Sequence, residues 1–464
     1  MCRRFGFEMV LGVGAKTVEA QGQCAAFYEV PLGRGKHAKS RIRAYPMIRE
    51  VKMLTLLKLV KSYLITAAAA SSFAAASFLV PVASASAAEE VVILGLFPTT
   101  GPYADTGPTL DMGARIALDE VGFKIVGKKI KYINRDSETK AGTAARRSQQ
   151  AIDSDGVKFI IGPWSSGVAL AVTEVAKKNK VMYYFSGGTE DISGKRCHKY
   201  AFMWAANAWT AMDANLKIFR QANPKAKTIY LFVVDYAFGW TLQKYVEALA
   251  PNYGLKVVGV DRHPLGHREY SSFITKAMAA KADAVYMINF GLDAISAVRQ
   301  MHNFGYTPKN PVIMSWSTGM EELIQMDAAM RANLQVGSNY YYTVDTPENK
   351  AFVAAFKKKS GGQPPGYGGG AGYGLMKMVL RGMKKANSTD PKDVIKALEG
   401  MKGKIFVGDF YINARNHQTV RPYFIMRTKP ESKMANKYDF ADIVDVSSTE
   451  QPKGMNQCKD IGGF

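Results

Sequence analysis

From position 91 onward, the apolar residues switch repeatedly between two spacings. VVILGLF (91–97) is a continuous apolar run, the pattern of a parallel strand buried on both faces. Leu110, Ala114, Ala117, Leu118 and Val121 then recur at i, i+4, i+7, i+8 and i+11, which places them on one stripe of a helix. The same switching predicts strands over 129–134, 157–161 and 181–186, with helices over 141–154 and 166–179 between and after them. A second series follows. It has helices over 209–222, from Gly239, and over 270–280, 292–303 and 319–330, with strands over 228–234, 256–260, 283–290 and 311–315. Strands and helices that alternate through short joints predict two doubly wound α/β units. After Gln335 the pattern changes. VGSNYYYTV reads as a strand, two helices surround a loop GGQPPGYGGG (361–370), and KIFVGDFYIN and RPYFIMR predict two strands joined by a polar turn.

The first 87 residues do not share this pattern. Lys58 and Lys61 precede an Ala-rich apolar stretch ending near Val82, and Ala85-Ser86-Ala87 has the small-x-small form of a signal-peptidase site. Residues 53–87 are read as a signal peptide rather than a retained span, because no charged stop-transfer flank follows. No Cys stands at the junction to take a lipid anchor. Residues 1–52 read as an upstream extension, with translation starting at Met53. The expected mature chain begins near Ala88 in the periplasm.

Composition is that of a globular protein, with 47% hydrophobic and 22% charged residues. The formal charge is +22; residues 1–87 hold 12 Lys/Arg and 4 Asp/Glu, so the mature chain carries +14. Its basic clusters, Lys177-Lys178-Asn179-Lys180 and Lys357-Lys358-Lys359, fall at predicted helix ends, where they meet the negative end of the dipole. No nucleic-acid motif accompanies them, and no nucleic-acid partner is expected. Of four cysteines, Cys2 and Cys24 lie in the leader. Cys197 and Cys458 remain as one pair in an oxidising compartment, either bonded or as two free buried thiols; a disulfide is expected.

In open parallel sheets ligands bind beyond the carboxyl ends of the strands. The loops there are PTTGPYADTG (98–107), GPWSSG (162–167), SGGTED (186–191), Asp235–Trp240, Phe290–Asp293 and Ser315–Thr318. Ser165, Ser166 and Thr189 offer hydroxyls beside helix starts, and Gly187 and Gly188 let backbone N–H groups approach closely. Together they suit capture of an anion by neutral donors. Helix N-capping is the alternative for each hydroxyl. A nucleophile elbow needs Gly two positions before its serine, and Ser165 has Pro163 there. His263 and His267 flank Pro264 and Gly266, so they cannot share a helix face as paired zinc ligands do. GVGAKT (12–17) and GRGK (33–36) lack phosphate-loop spacing. No catalytic set, metal site or cofactor fingerprint is expected.

FPTTGPYADTGPTLDMGARIALDEV (97–121), SETKAGTAARRSQQAI (137–152), FIIGPWSSGVALAVTEVAKKNKVMYYFSGGTEDI (159–192) and DYAFGWTLQKYVEAL (235–249) follow in order, with NHQTVRP (416–422) near the end. This ordered set resembles the leucine/isoleucine/valine-binding branch of the type I periplasmic binding proteins, the capture subunits of ABC importers, over residues 89–464. The resemblance implies two Rossmann-like lobes joined by three hinge crossings, 88–207 with 338–405 and 208–337 with 406–464, closing on one small ligand. It implies that Ser165 or Ser166, the Gly187 backbone and Thr189 hold a carboxylate, and that Tyr103 and Trp164 line the pocket from the first lobe. Phe238 would cover the ligand from the second.

Amino-acid binders of this family place an acid after the strand equivalent to 311–315, to pair the ammonium. Here Ser315 opens that loop, SWSTG, and Glu321 lies beyond it; Asp293 and Asp235 are the substitutes the sequence offers. An unpaired ammonium in a closed cleft costs several kcal/mol, roughly. A non-amino carboxylate, including an aromatic one, therefore stands beside an amino acid as the expected ligand. The expectation is a monomeric, non-enzymatic solute-binding subunit that hands its ligand to permease and ATPase subunits. A ligand-sensing receptor subunit is the alternative.

Overall fold

The computed structural model describes residues 90–462, apart from 453 and 460. The upstream extension and the signal peptide lie outside the described residues. The first series runs β1 (Glu90–Phe97), α1 (Gly107–Asp119), β2 (Lys124–Ile125), β3 (Lys128–Asp136) and α2 (Ala141–Asp155). It continues through β4 (Phe159–Ile161), α3 (Ser166–Asn179), β5 (Met182–Phe185) and β6 (Ala201–Met203). These strands form a six-stranded sheet in the order β2-β3-β1-β4-β5-β6. β1 pairs in parallel with both β3 and β4, so the winding reverses at β1. A crevice opens at such a reversal, beyond the carboxyl ends of the strands. The loops after β1 and β4 therefore face it.

The second series runs α4 (Ala208–Ala222), β7 (Thr228–Val234), α5 (Ala237–Leu249), β8 (Lys256–His263) and α6 (Ser271–Ala279). Then come β9 (Ala284–Ile288), α7 (Leu292–Asn303), β10 (Val312–Ser317), α8 (Met320–Leu323) and β11 (Leu334–Ser338). The chain goes on through α9 (Pro347–Lys359), α10 (Tyr367–Ala386), α11 (Pro391–Leu398), β12 (Lys402–Ile405), β13 (Gly408–Ile412), β14 (Thr419–Val420), β15 (Tyr423–Thr428) and β16 (Ala441–Ser447). The second sheet has seven strands, β16-β15-β11-β10-β9-β7-β8, and its winding reverses at β7. β12, β13 and β14 form a small antiparallel sheet of their own.

Two lobes result, each a mostly parallel sheet covered by helices, as the periodicity predicts. Three stretches link the sheets: after β6, after β11 and before β15. They are tied to one another. Asn339 Oδ1 accepts from Ala206 N (2.7 Å) and from Arg421 Nη1 (3.1 Å), and Gln418 Nε2 donates to the Ala205 carbonyl (2.7 Å). Cys197 and Cys458 are bonded, with Cα atoms 5.6 Å apart. The free-thiol alternative is set aside.

Several segments differ from expectation: the periodicity does not predict β6 or β16, KIFVGDFYIN folds as the paired strands β12 and β13, and two helical stretches differ more widely. The helix predicted over 319–330 stops at Leu323, because other groups take the backbone partners. Arg331 Nη1 donates to the Leu323 carbonyl (3.2 Å), and Asp327 Oδ1 accepts from Met330 N (2.8 Å). The end of the stretch GGQPPGYGGG is helix: α10 starts at Tyr367 and carries Gly368, Gly369 and Gly370 inside it. Gly in a helix interior is unfavourable by about 1 kcal/mol relative to Ala, but here it permits contact between backbones. A Cβ on Gly113 would lie 2.1 Å from the Gly369 carbonyl oxygen, and one on Gly372 would lie 1.9 Å from that of Leu110. Packing of α1 on α10 thus overrides local propensity.

Candidate functional site

The two reversals face each other across a narrow cleft, closed down to a cavity of about 10 Å³. From the first lobe come Tyr103, Trp164, Ser166, Ser186, Gly187, Gly188 and Tyr367; from the second come Tyr236, Phe238, Phe290 and Trp316. All six aromatic residues of the loops and the tyrosine of α10 are held ring against ring. Phe290 meets Tyr103 edge-on (5.6 Å between centroids) and Trp164 at 5.6 Å, while Trp164 meets Tyr367 at 4.7 Å. Phe238 stands edge-on to Trp316 at 6.0 Å. The lobes also touch directly, through a Tyr103 Oη–Tyr236 Oη hydrogen bond of 2.7 Å. Aromatic pairs of this kind add about 0.5–1.5 kcal/mol each beyond their burial.

The polar groups are few and mostly tied back. Ser166 Oγ accepts from Thr189 N (3.1 Å), so the GPWSSG and SGGTED loops are pinned together. Ser186 Oγ and Tyr367 Oη share a bond of 2.7 Å. Ser165 holds the N-cap position of α3, yet its side chain makes no capping bond. Trp164 Nε1 is buried with no acceptor among the described residues. Gly188 lets Phe238 in: a Cβ there would sit 2.5 Å from the Phe238 ring. A Cβ on Gly187 would strike Phe185 at 2.3 Å.

Of the expected ligand-binding residues, the cleft wall gathers Tyr103, Trp164, Ser166, Gly187 and Phe238. Ser165 and Thr189 lie beside it. Ser315 donates from Oγ to the Met287 carbonyl (2.7 Å), within the second sheet. Asp293 accepts from Arg268 Nη1 (2.6 Å) and Gly266 N (2.9 Å), and burial raises its pKa. Asp235 accepts from Trp240 Nε1 (2.8 Å) on an exposed edge. Tyr236, Phe290 and Trp316 sit in loops flagged by position after strands. Ser186 follows β5 and opens the flagged loop 186–191, whereas Tyr367 carries no such signal.

Two further carboxyls lie near the seam. Glu321 is wedged under α10, where a Cβ on Gly366 would lie 1.4 Å from its Oε2. Glu322 accepts from Gly291 N (2.6 Å) and from Ser317 Oγ (2.5 Å). Burial pushes Glu321 up to about 7 and Glu322 up to about 8. Burial also raises Asp105. No charged side chain lines the cleft itself. Among the described residues, no group of His, Cys, Asp and Glu is arranged to hold a metal.

Two α/β lobes that meet at their switch points across an aromatic-lined cleft have the architecture of a hinged binding protein. A periplasmic binding protein family model matches residues 90–434, and the chain belongs to that family. It is 24% identical over 371 residues to a Leu/Ile/Val-binding protein homolog of Brucella abortus, covering 76% of this chain and 87% of that one. Among solved structures it resembles an amino acid ABC transporter substrate-binding protein from Pseudomonas fluorescens, at 29% identity and TM-score 0.76, over 80% of this chain and 99% of the other. A Rhodopseudomonas palustris solute-binding protein in complex with 3,4-dihydroxybenzoic acid shares the fold at TM-score 0.70 and 22% identity, over 78% and 99% of the two chains. Among the described residues no helix is long and apolar enough to cross a membrane.

Proposed function

We propose that the protein is the extracytoplasmic solute-binding subunit of an ABC importer, and that it captures an aromatic carboxylate. The observation that carries this reading is the cleft lining: aromatic rings from both lobes, hydroxyls, and no charged side chain. Rings pack flat, apolar ligand surface. Ser166, Trp164 Nε1 and the glycine backbone supply neutral donors for one carboxylate, each such hydrogen bond being worth about 1.5–3 kcal/mol. An α-amino acid would bring an ammonium as well. Asp293 is engaged by Arg268, Glu321 is under α10, and neither reaches the lining.

The relatives support the class and divide on the ligand. The Pseudomonas protein is an amino acid binder by name, and the Rhodopseudomonas protein holds a dihydroxybenzoic acid. Closure on the ligand would present a single lobe arrangement to permease and ATPase subunits, with no covalent step. Isothermal titration with benzoate, 3,4-dihydroxybenzoate and L-leucine tests the reading. Saturable one-to-one binding of an aromatic acid, at least tenfold tighter than L-leucine, is expected. Tighter binding of L-leucine would overturn the aromatic assignment and leave the binding-protein assignment standing.

A further inference from the structure

The lobes meet beside the cleft as well as across it. The loop after β10 and the short α8, both of the second lobe, dock on the amino-terminal end of α10 in the first. Tyr367 N donates to the Thr318 carbonyl (2.8 Å), so a wall of the cleft is bonded to the opposite lobe. Trp316, two residues before Thr318, is itself a cleft residue. Glu321 of α8 reaches furthest into this seam. It is 6% exposed. A Cβ on Gly366 would lie 1.4 Å from its Oε2, and one on Gly368 would lie 3.0 Å from its Oε1, so only glycines leave room for it. Neither carboxyl oxygen has a hydrogen-bond partner among the described residues.

The seam offers this carboxyl no cation. The titratable groups around it are Asp105, from the loop after β1, Tyr340, on the second link, and its neighbour Glu322. Glu322 is tied within its own lobe to Gly291 N and Ser317 Oγ. α10 presents only glycines and Tyr367 there, and the Tyr367 hydroxyl is turned to Ser186. The start of α10 favours an anion, but Asp105 opposes it. A carboxyl buried without a partner is far less costly neutral than charged. Burial accordingly pushes Glu321 up to about 7.

We propose that Glu321 is a positioning residue for ligand capture: a second-lobe carboxyl that takes up a proton as the lobes close and it seats under α10, so that ligand affinity is coupled to pH. It touches no ligand and acts through the end of α10 that carries Tyr367. When the lobes part, α8 leaves α10 and the carboxyl returns to water, where an ordinary Glu titrates at 4.5. The closed form therefore binds the proton more tightly than the open one. Affinity is greatest near roughly pH 5 and falls as pH rises through about 7. This rests on the reading of a closing solute-binding subunit above and adds a proton to its binding step.

The test is titration calorimetry of the full protein with benzoate at about pH 5.5, 7 and 8.5, repeated at pH 7 in two buffers of different ionisation enthalpy to count protons. The parent should lose roughly 10- to 30-fold in affinity across that range, and should take up about half a proton per ligand at pH 7. Glu321→Gln is neutral at every pH and should change less than about threefold, since a purely structural effect would shift affinity alike at all three. A flat parent profile, no proton uptake, or an equally steep profile in Glu321→Gln would overturn the role of Glu321 while leaving the binding-protein reading intact. The proton count on the parent decides the matter even if the variant fails to fold. If benzoate does not bind, the aromatic reading fails and L-leucine takes its place in the same titrations. Binding of neither would overturn both.

Discussion

Ser166 shows how much a single residue can decide. Its hydroxyl fixes Thr189 N, and with it the loop that brings Gly187 to the cleft. Ser166→Ala should therefore weaken a benzoate ligand by roughly 10- to 150-fold, the value of a hydrogen bond to a charged group, as titration calorimetry would read. An unchanged affinity would reduce Ser166 to a support for its own loop. Asp293→Asn makes the opposite case. It should leave benzoate affinity within about twofold, because Asp293 faces Arg268 and Gly266 rather than the lining. The hydroxyls were legible because Gly-Pro and Gly-Gly punctuation marks where strands end. The role of Asp293 was not, since Arg268 stands 25 residues away and only the loop before α6 brings it in. Tyr367 was hidden for a similar reason: glycine-rich sequence reads as loop unless a neighbouring backbone is known to need the space.

At the scale of elements, α10 is the departure with the clearest consequences. Gly372→Ala places a Cβ against the Leu110 carbonyl and must push α1 and α10 apart. Overpacking of this kind costs about 1–3 kcal/mol, so thermal unfolding of the variant should begin several degrees lower. A melting temperature equal to the parent's would mean that the helices have slack that the structure does not show. The short α8 carries a pH dependence. Glu321 and Glu322 titrate at about 7 and about 8 in the folded protein, against 4.5 for an ordinary Glu. Between those values the folded state holds more protons than the unfolded one, so stability from these groups is greatest at low pH. It falls as pH rises from about 5 to about 8. Melting temperatures across that range should decline less steeply in Glu321→Gln than in the parent. The strand-helix alternation made most elements legible. β16 was not, because its outward residues leave it only half apolar, and β6 is only three residues long.

For the whole molecule, the tail adds a covalent link to the three that join the lobes. After β16 the chain crosses α4 and α5 of the second lobe and reaches the first lobe at Cys197. Thr210 Oγ1 donates to the Thr449 carbonyl (2.5 Å), Gln451 Nε2 donates to Tyr245 Oη (2.8 Å), and Cys458 bonds Cys197. The sequence separation of the two cysteines is 261, and a loop of that size corresponds to roughly 5–6 kcal/mol by chain entropy, before any native strain. Cys458→Ser should lower the melting temperature clearly, and peptide mapping without reductant should find the Cys197–Cys458 crosslink. Two alkylated cysteines at those positions in unreduced protein would contradict it. The pairing was legible by counting cysteines; the path of the tail was not, since its anchors are scattered over α4, α5 and the loops beside the hinge.

The most direct test of the central claim is native mass spectrometry of the protein as purified, followed by identification of whatever denaturation releases. The account predicts one small molecule per chain that carries a carboxylate and an aromatic ring and no primary amine. A released α-amino acid would contradict it.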